Sequence, residues 1–469
     1  MSRLMAQIIE VTREGESTGL DPVVARCRVR ITGPAVKGLA IPDGVKGKEG
    51  EITRRVLFDW ELVPEMKILL SVEESRTFTA ASEASSTVTP SPPAPLPGGE
   101  GRDPGNGLKP IVSTHEADVN GDGFAERAME NTFVRAVVGP HVGARIWEMH
   151  VRSAGVNLLA PTHALTKDFV DLGGHHDGLG AERSPGELWK ARFAETERAE
   201  SDSHVSVDYR FASEATKGLT VSKRVEMIGD LPAIWQEIRF HYAGKPDDKD
   251  KKTEPDDEDK DELEVLYKPT TGFQYVGEMD SHVRVDIPLH DRVDSYRFYE
   301  HQWIYPVGGV PLGAVAVQHE RLGVAMLILT RPGALATVDL GFDARRLGIE
   351  TRMFPEKLGP DRQLTRGLLW AAGASATVTP RLAALVSLGE VVAGQRAVAV
   401  VARHLEGTEG EVHLAGGALP LRSYDLPGVG PVLGAYGVRS ADALSGELVV
   451  VIGEDTVALP LSGGETGAS

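Results

Sequence analysis

The stretch Glu130-Asn131-Thr132-Phe133-Val134-Arg135-Ala136-Val137-Val138-Gly139-Pro140-His141-Val142-Gly143-Ala144-Arg145-Ile146 decides how this chain is read. It runs as a β-branched strand, a Gly/Pro turn and the start of a second strand, which is the pattern of a hairpin. Further strands are expected at 204–211, 220–228, 234–241, 283–287, 314–319 and 324–329. Several alternate apolar and polar residues with period two, so one face of each meets a core and the other meets water. Long helical periodicity is absent. The expected fold is all-β, with a large antiparallel β-sandwich over residues 108–375.

Composition supports strands joined by turns. The 52 glycines and 29 prolines among 469 residues break the chain often, and apolar runs are short. A run containing Ser-Pro-Pro-Ala-Pro-Leu-Pro-Gly-Gly marks residues 79–107 as a linker, because proline removes backbone donors and glycine resists packing. A small β-rich module is expected before it, over 1–78. After the sandwich, short strands separated by Gly-rich turns suggest an immunoglobulin-like β domain over 376–469.

Charge narrows the partners. A net charge of -18 repels a phosphate backbone, so nucleic acid is excluded. Part of that acidity is local, since residues 245–264 carry 11 acidic and 5 basic side chains, the composition of a solvated loop. Cys27 is the single cysteine, which rules out an intramolecular disulfide and a cysteine-based zinc site. No segment reaches the ~20 apolar residues that span a bilayer, and no membrane role is expected. The first ten residues lack the apolar core of a signal peptide, so the expected location is cytoplasmic.

Three further constellations bear chemistry. Asp118, Asn120, Asp122 and Glu126 place oxygens at relative positions 1, 3, 5 and 9, with Gly123 at 6. This spacing suits calcium, and the loop resembles the short calcium-binding loops of dockerin-type modules. It departs from a full EF-hand at the twelfth position, which is Met129. The same residues also suit a plain Asn-Gly/Asp-Gly turn with no ion. The segment 172–189 interleaves glycines with His175, His176, Asp177, Glu182 and Trp189. Its glycines admit close approach, its polar groups match hydroxyls, and the indole offers a flat face to a sugar ring. Zinc between His175, His176 and Glu182 is disfavoured, because adjacent residues on a strand point in opposite directions. The third is Gly348-Ile349-Glu350-Thr351-Arg352-Met353-Phe354-Pro355.

Taken with Gly143-Ala144-Arg145-Ile146 and Asn157-Leu158-Leu159, these pieces resemble the aldose 1-epimerase (galactose mutarotase-like) superfamily over the central residues. The resemblance implies a sugar ligand and an isomerase-type acid/base reaction that opens and closes an aldose ring. Glu350 falls on the family's general base, Thr351 on its threonine and Pro355 on its proline, while Arg352 replaces a glutamine. The family's Asn-His-x-Tyr-Phe-Asn element is missing. By chemistry His176 or His301 stands in for the acid, with Arg145, His175, Glu182 and Trp189 contacting the sugar. The missing element leaves a second role open, a non-catalytic binding or structural protein on the same fold.

Overall fold

The structure, a computed structural model, describes residues 5–13, 25–32, 54–63, 66–74, 108–119, 123–160, 173–180, 187–189, 191–244, 262–274, 282–297, 302–304, 310–342, 346–414, 417–444 and 446–461. They divide between two units, Met1–Gly99 and Glu100–Ser469. In the first, Met5–Arg13 pairs with Ala25–Thr32 and Arg54–Val63 with Met66–Glu74, both antiparallel.

The second unit is built from stacked antiparallel sheets. A ten-stranded sheet contains Ser113–Ala117, Glu126–Glu130, Val134–Gly139, Arg145–Val151, His175–His176, Thr270–Gln274, Arg346–Met353 and Leu335–Phe342, among others. A nine-stranded sheet runs from Ala194–Ser201 through Leu219–Ile228, Ala233–Tyr242, Arg362–Gly373 and Val324–Thr330 to Val293–Arg297. Five strands, including Leu382–Val392 and Gln395–His404, form a third sheet, and four, including Glu447–Ile452, form a fourth. The sandwich fold read from the alternation pattern is the fold observed, with strands throughout the unit.

Period-two geometry explains how the layers stack. In Arg362–Gly373, Leu368, Trp370 and Ala372 enter the core shared with the ten-stranded sheet. Leu369 and Ala371, one step out of phase, enter a second core shared with the five-stranded sheet. Val324–Thr330 divides in the same way, with Met326 and Ile328 in one core and Leu327 and Leu329 in the other. Strands buried on both faces read as apolar runs, as residues 324–329 and the second half of Arg362–Gly373, from Gly367 on, do. The third sheet repeats the device. Leu385 faces the nine-stranded sheet, while Ala384 and Val386 face the four-stranded one.

Arg403 fastens the seam between the sandwich and the C-terminal sheets. Its side chain is buried, and its guanidinium donates to the carbonyls of Thr330, Val429 (2.9 Å) and Pro431 (3.3 Å). At the far edge of the nine-stranded sheet, Ala194–Ser201 is exposed at every position and, among the described residues, pairs only with His204–Ala212. Among the described residues no helix is long and apolar enough to cross a membrane. Most of the acidic run 245–264 lies outside the described residues, and at its end Glu262 pairs with Lys357 at 2.8 Å.

The planar fork of Arg403 cannot be matched by a single ammonium. Arg403→Lys is expected to leave buried carbonyls unsatisfied and cost about 1–3 kcal/mol, measured by denaturant unfolding of the full chain.

Candidate functional site

His175–His176 is the strand on which the site turns. It pairs with Thr270–Gln274 on one side, matching His176 to Thr270, and with Arg145–Val151 on the other, matching His175 to Ile146. One step along that register sets His176 across from Arg145. Thr270 is matched in turn to Glu350, and Glu350 to Asp339. Residues directly opposite one another in a sheet share a face. Arg145, His176, Thr270, Glu350 and Asp339 therefore form one cross-strand row on the face of the ten-stranded sheet turned away from the sandwich core. With strands ~4.8 Å apart, the backbones of His176 and Glu350 stand about 10 Å apart along it.

Local sequence builds each end of the row. Gly174 takes φ +72°, and a Cβ there would meet the Ile146 carbonyl at 2.4 Å, so only glycine lets this segment lie against its neighbour. Gly143 takes φ +74° for the same kind of reason, with the Leu188 carbonyl 2.8 Å from where a Cβ would stand. Arg145 is buried and donates to the carbonyls of Gly173 (3.3 Å) and Trp189 (3.4 Å). The rings of His176 and Trp189 lie 6.1 Å apart. At the other end Arg352 reaches both carboxylates, 2.9 Å from Glu350 Oε1 and 2.9 Å from Asp339 Oδ2. Burial pushes the Asp339 carboxyl up; Arg352 offsets part of that rise and Glu350 adds to it.

The other phase of the same strand carries a second polar group, inside the sandwich. His175 faces the core, its ring centroid 4.0 Å from that of Trp370 and its Nδ1 3.2 Å from Thr271 Oγ1, which also accepts from Trp370 Nε1 at 3.1 Å. Expected at a sugar-contacting position, His175 instead occupies the face opposite to His176, because neighbours on a strand alternate. Asp177, two residues on, contacts Lys223 Nζ through Oδ2 and accepts at Oδ1 from Tyr267 Oη and from Gln236 Nε2 (2.9 Å). Lys223 donates also to the Gly143 carbonyl, and its Nζ lies 4.8 Å from the Phe193 ring centroid. Asp177, Lys223, Gln236, Tyr267 and His175 are all buried. Burial pushes the Lys223 amine down, with Asp177 opposing, and holds His175 neutral. Burial alone would raise the Asp177 carboxyl, but Lys223 and then His175 hold it well below the usual carboxylate range. Burial, then Asp177, pushes the Tyr267 phenol up.

The remaining expected positions fall elsewhere. Glu182, His301, Asn120 and Asp122 lie outside the described residues. Of the calcium-type loop, Asp118 accepts from the Gly123 N–H (3.0 Å) and Glu126 from the Val119 N–H (2.7 Å). Each carboxylate thus spends an oxygen closing its own turn, with or without an ion. Sequence reading missed Asp339 and Thr270, which carry no motif, and the inner group. Lys223 and Gln236 did leave a signal. Lys223 falls on the apolar phase of Leu219, Val221, Val225 and Met227, and Gln236 on that of Ile234, Ile238 and Phe240.

No family model matches the chain, and no curated protein matches it. Among solved structures, a galactose mutarotase-like protein from Clostridium acetobutylicum is 10% identical with a TM-score of 0.41, over 57% of this chain and 100% of that one. A galactose mutarotase-like protein from Lactobacillus casei is 8% identical with a TM-score of 0.39, over 53% and 99%. A TPR-domain containing protein from Parabacteroides distasonis is 11% identical with a TM-score of 0.41 over 53% of this chain, which spans 47% of that longer protein. At such scores likeness says nothing about the chemistry of this chain.

Asp339 yields a pH test. An acid whose folded pKa lies above its unfolded value, ~3.9 for aspartate, costs stability increasingly as pH rises from that value through the folded one. Asp339→Asn is expected to gain in melting temperature over the parent chain as pH rises above ~4, the unfolded aspartate value, a difference that thermal melts at successive pH values measure.

Proposed function

We propose that the outer face of the ten-stranded sheet binds a carbohydrate, with the row from Arg145 to Asp339 as its floor. The observation that carries this reading is the shared register of His176 and Glu350, an imidazole and a carboxylate two strands apart on one face of the sheet. Arg145, Thr270 and Asp339 supply donors and acceptors that hydroxyl groups pair with. Trp189 beside His176 offers an apolar surface to the carbon side of a pyranose.

In its enzymatic form the reading is aldose ring opening and closing. Glu350 removes the proton of the anomeric hydroxyl while His176 protonates the ring oxygen, and the reverse steps close the ring on the other face. Such a base must reach the hydroxyl with a free oxygen. Arg352 ties Glu350 Oε1 at 2.9 Å and so fixes the orientation of the carboxylate, a restraint that favours the second reading, a binding face without turnover.

Polarimetry with D-galactose and D-glucose separates the two, with sugar binding followed by Trp fluorescence and by calorimetry. If the face is catalytic, Glu350→Gln keeps sugar binding and loses about 10²–10⁴-fold in rate, the usual contribution of a general base. Unchanged mutarotation in that variant removes Glu350 from the reaction. If Arg352 restrains the base, Arg352→Gln raises the rate above that of the parent chain. Absence of sugar binding by any of these proteins overturns the proposal.

A further inference from the structure

Lys223 and Asp177 form a buried ion pair inside the sandwich that the proposed sugar-binding face does not use. Lys223 stands on Leu219–Ile228 in the nine-stranded sheet; Asp177 follows His175–His176 of the ten-stranded sheet. Their side chains meet across the sandwich core, 0% and 2% exposed as residues, with Nζ against Oδ2. Removing two charges from water to this depth carries a desolvation penalty that their mutual attraction has to offset. We propose that the two side chains condense into an amide, a covalent isopeptide bond joining the two large sheets.

Each group the reaction needs is in place. Lys223 Nζ donates to the Gly143 carbonyl, which orients the nitrogen, and the Phe193 ring keeps its surroundings apolar. Asp177 Oδ1 accepts from both Tyr267 Oη and Gln236 Nε2, two fixed donors on the oxygen that gains negative charge when nitrogen adds to Cγ. The first step moves one proton from Nζ to Oδ2, turning the ion pair into the amine and carboxylic acid that react. The nitrogen lone pair then adds to Cγ, and the new charge collects on Oδ1 beneath its two donors. A second nitrogen proton passes to Oδ2, the oxygen that lies against Nζ, with His175 Nε2 beside the carboxyl at 3.6 Å from Oδ1. The Cγ–Oδ2 bond breaks and Oδ2 leaves as water. Nζ gives up two protons, both of which depart with Oδ2, so charge and atoms balance and neither oxidant nor cofactor is consumed.

The test is the intact mass of the denatured full chain, followed by peptide mapping. A mass one water below that of the sequence, with a branched peptide joining the segment of Asp177 to that of Lys223, is the expected result. The full sequence mass overturns the proposal and leaves an ion pair. Water lost within a linear peptide holding Asp177 and Gly178 also overturns it, since a backbone succinimide has then formed instead. Lys223→Met is expected to restore the full mass for its sequence. Tyr267→Phe and Gln236→Leu, each removing one donor to Oδ1, are expected to accumulate the uncrosslinked form. Should Lys223→Met fail to fold, the mass and map of the unaltered chain still decide.

Discussion

The structure depends on one constraint, the burial of the central strands of the nine-stranded sheet on both faces. A strand has two phases of side chains, and in Arg362–Gly373 and Val324–Thr330 each phase belongs to a different core. Neither phase can then be polar without a partner, and the layers on either side are held at the distance their side chains set. The sandwich and the C-terminal sheets therefore share a wall. Small residues line much of the second core, with Ala233, Ala314, Ala316, Ala325 and Ala371 on the side facing the five-stranded sheet. Larger ones, including Phe240, Met326 and Trp370, fill the first.

The same alternation puts one dipeptide to two uses. His175 closes against Trp370 and Thr271 inside the sandwich, and His176 stands in the row with Glu350 outside it. The backbone that carries both is fixed from within. Lys223 holds the Gly143 carbonyl and the Asp177 carboxylate, and these flank Arg145 and His176 in sequence. Outer-face geometry is thus set by bonds made on the inner face.

Much of this was legible in the sequence, and the part that was not has a physical reason. Strands such as Leu219–Ile228 announce themselves by alternation, and the sandwich follows from their number. Arg145, His176 and Glu350 stood out because short motifs surround them, and register brings those three to one face. Asp339 and Thr270 could not be found that way. They join the row only through cross-strand pairing, a long-range property that no local window contains. His175 was placed on the wrong side for the converse reason, since a glycine-rich segment hides which phase faces the core. Lys223 was visible as a charge in an apolar phase, an irregularity that marks a buried partner elsewhere in the chain.

The edge strand Ala194–Ser201 has a bearing on how this molecule meets its own copies. An open sheet edge offers unpaired backbone groups to any passing strand, and sheets this wide are exposed to that hazard. Here the edge presents Glu195, Glu197, Arg198 and Glu200 with every side chain in water, while Glu195 is tied back to Arg127 at 2.9 Å. A second copy adding its own edge would set three glutamates against three glutamates. Charged side chains along that border disfavour the addition of a further strand.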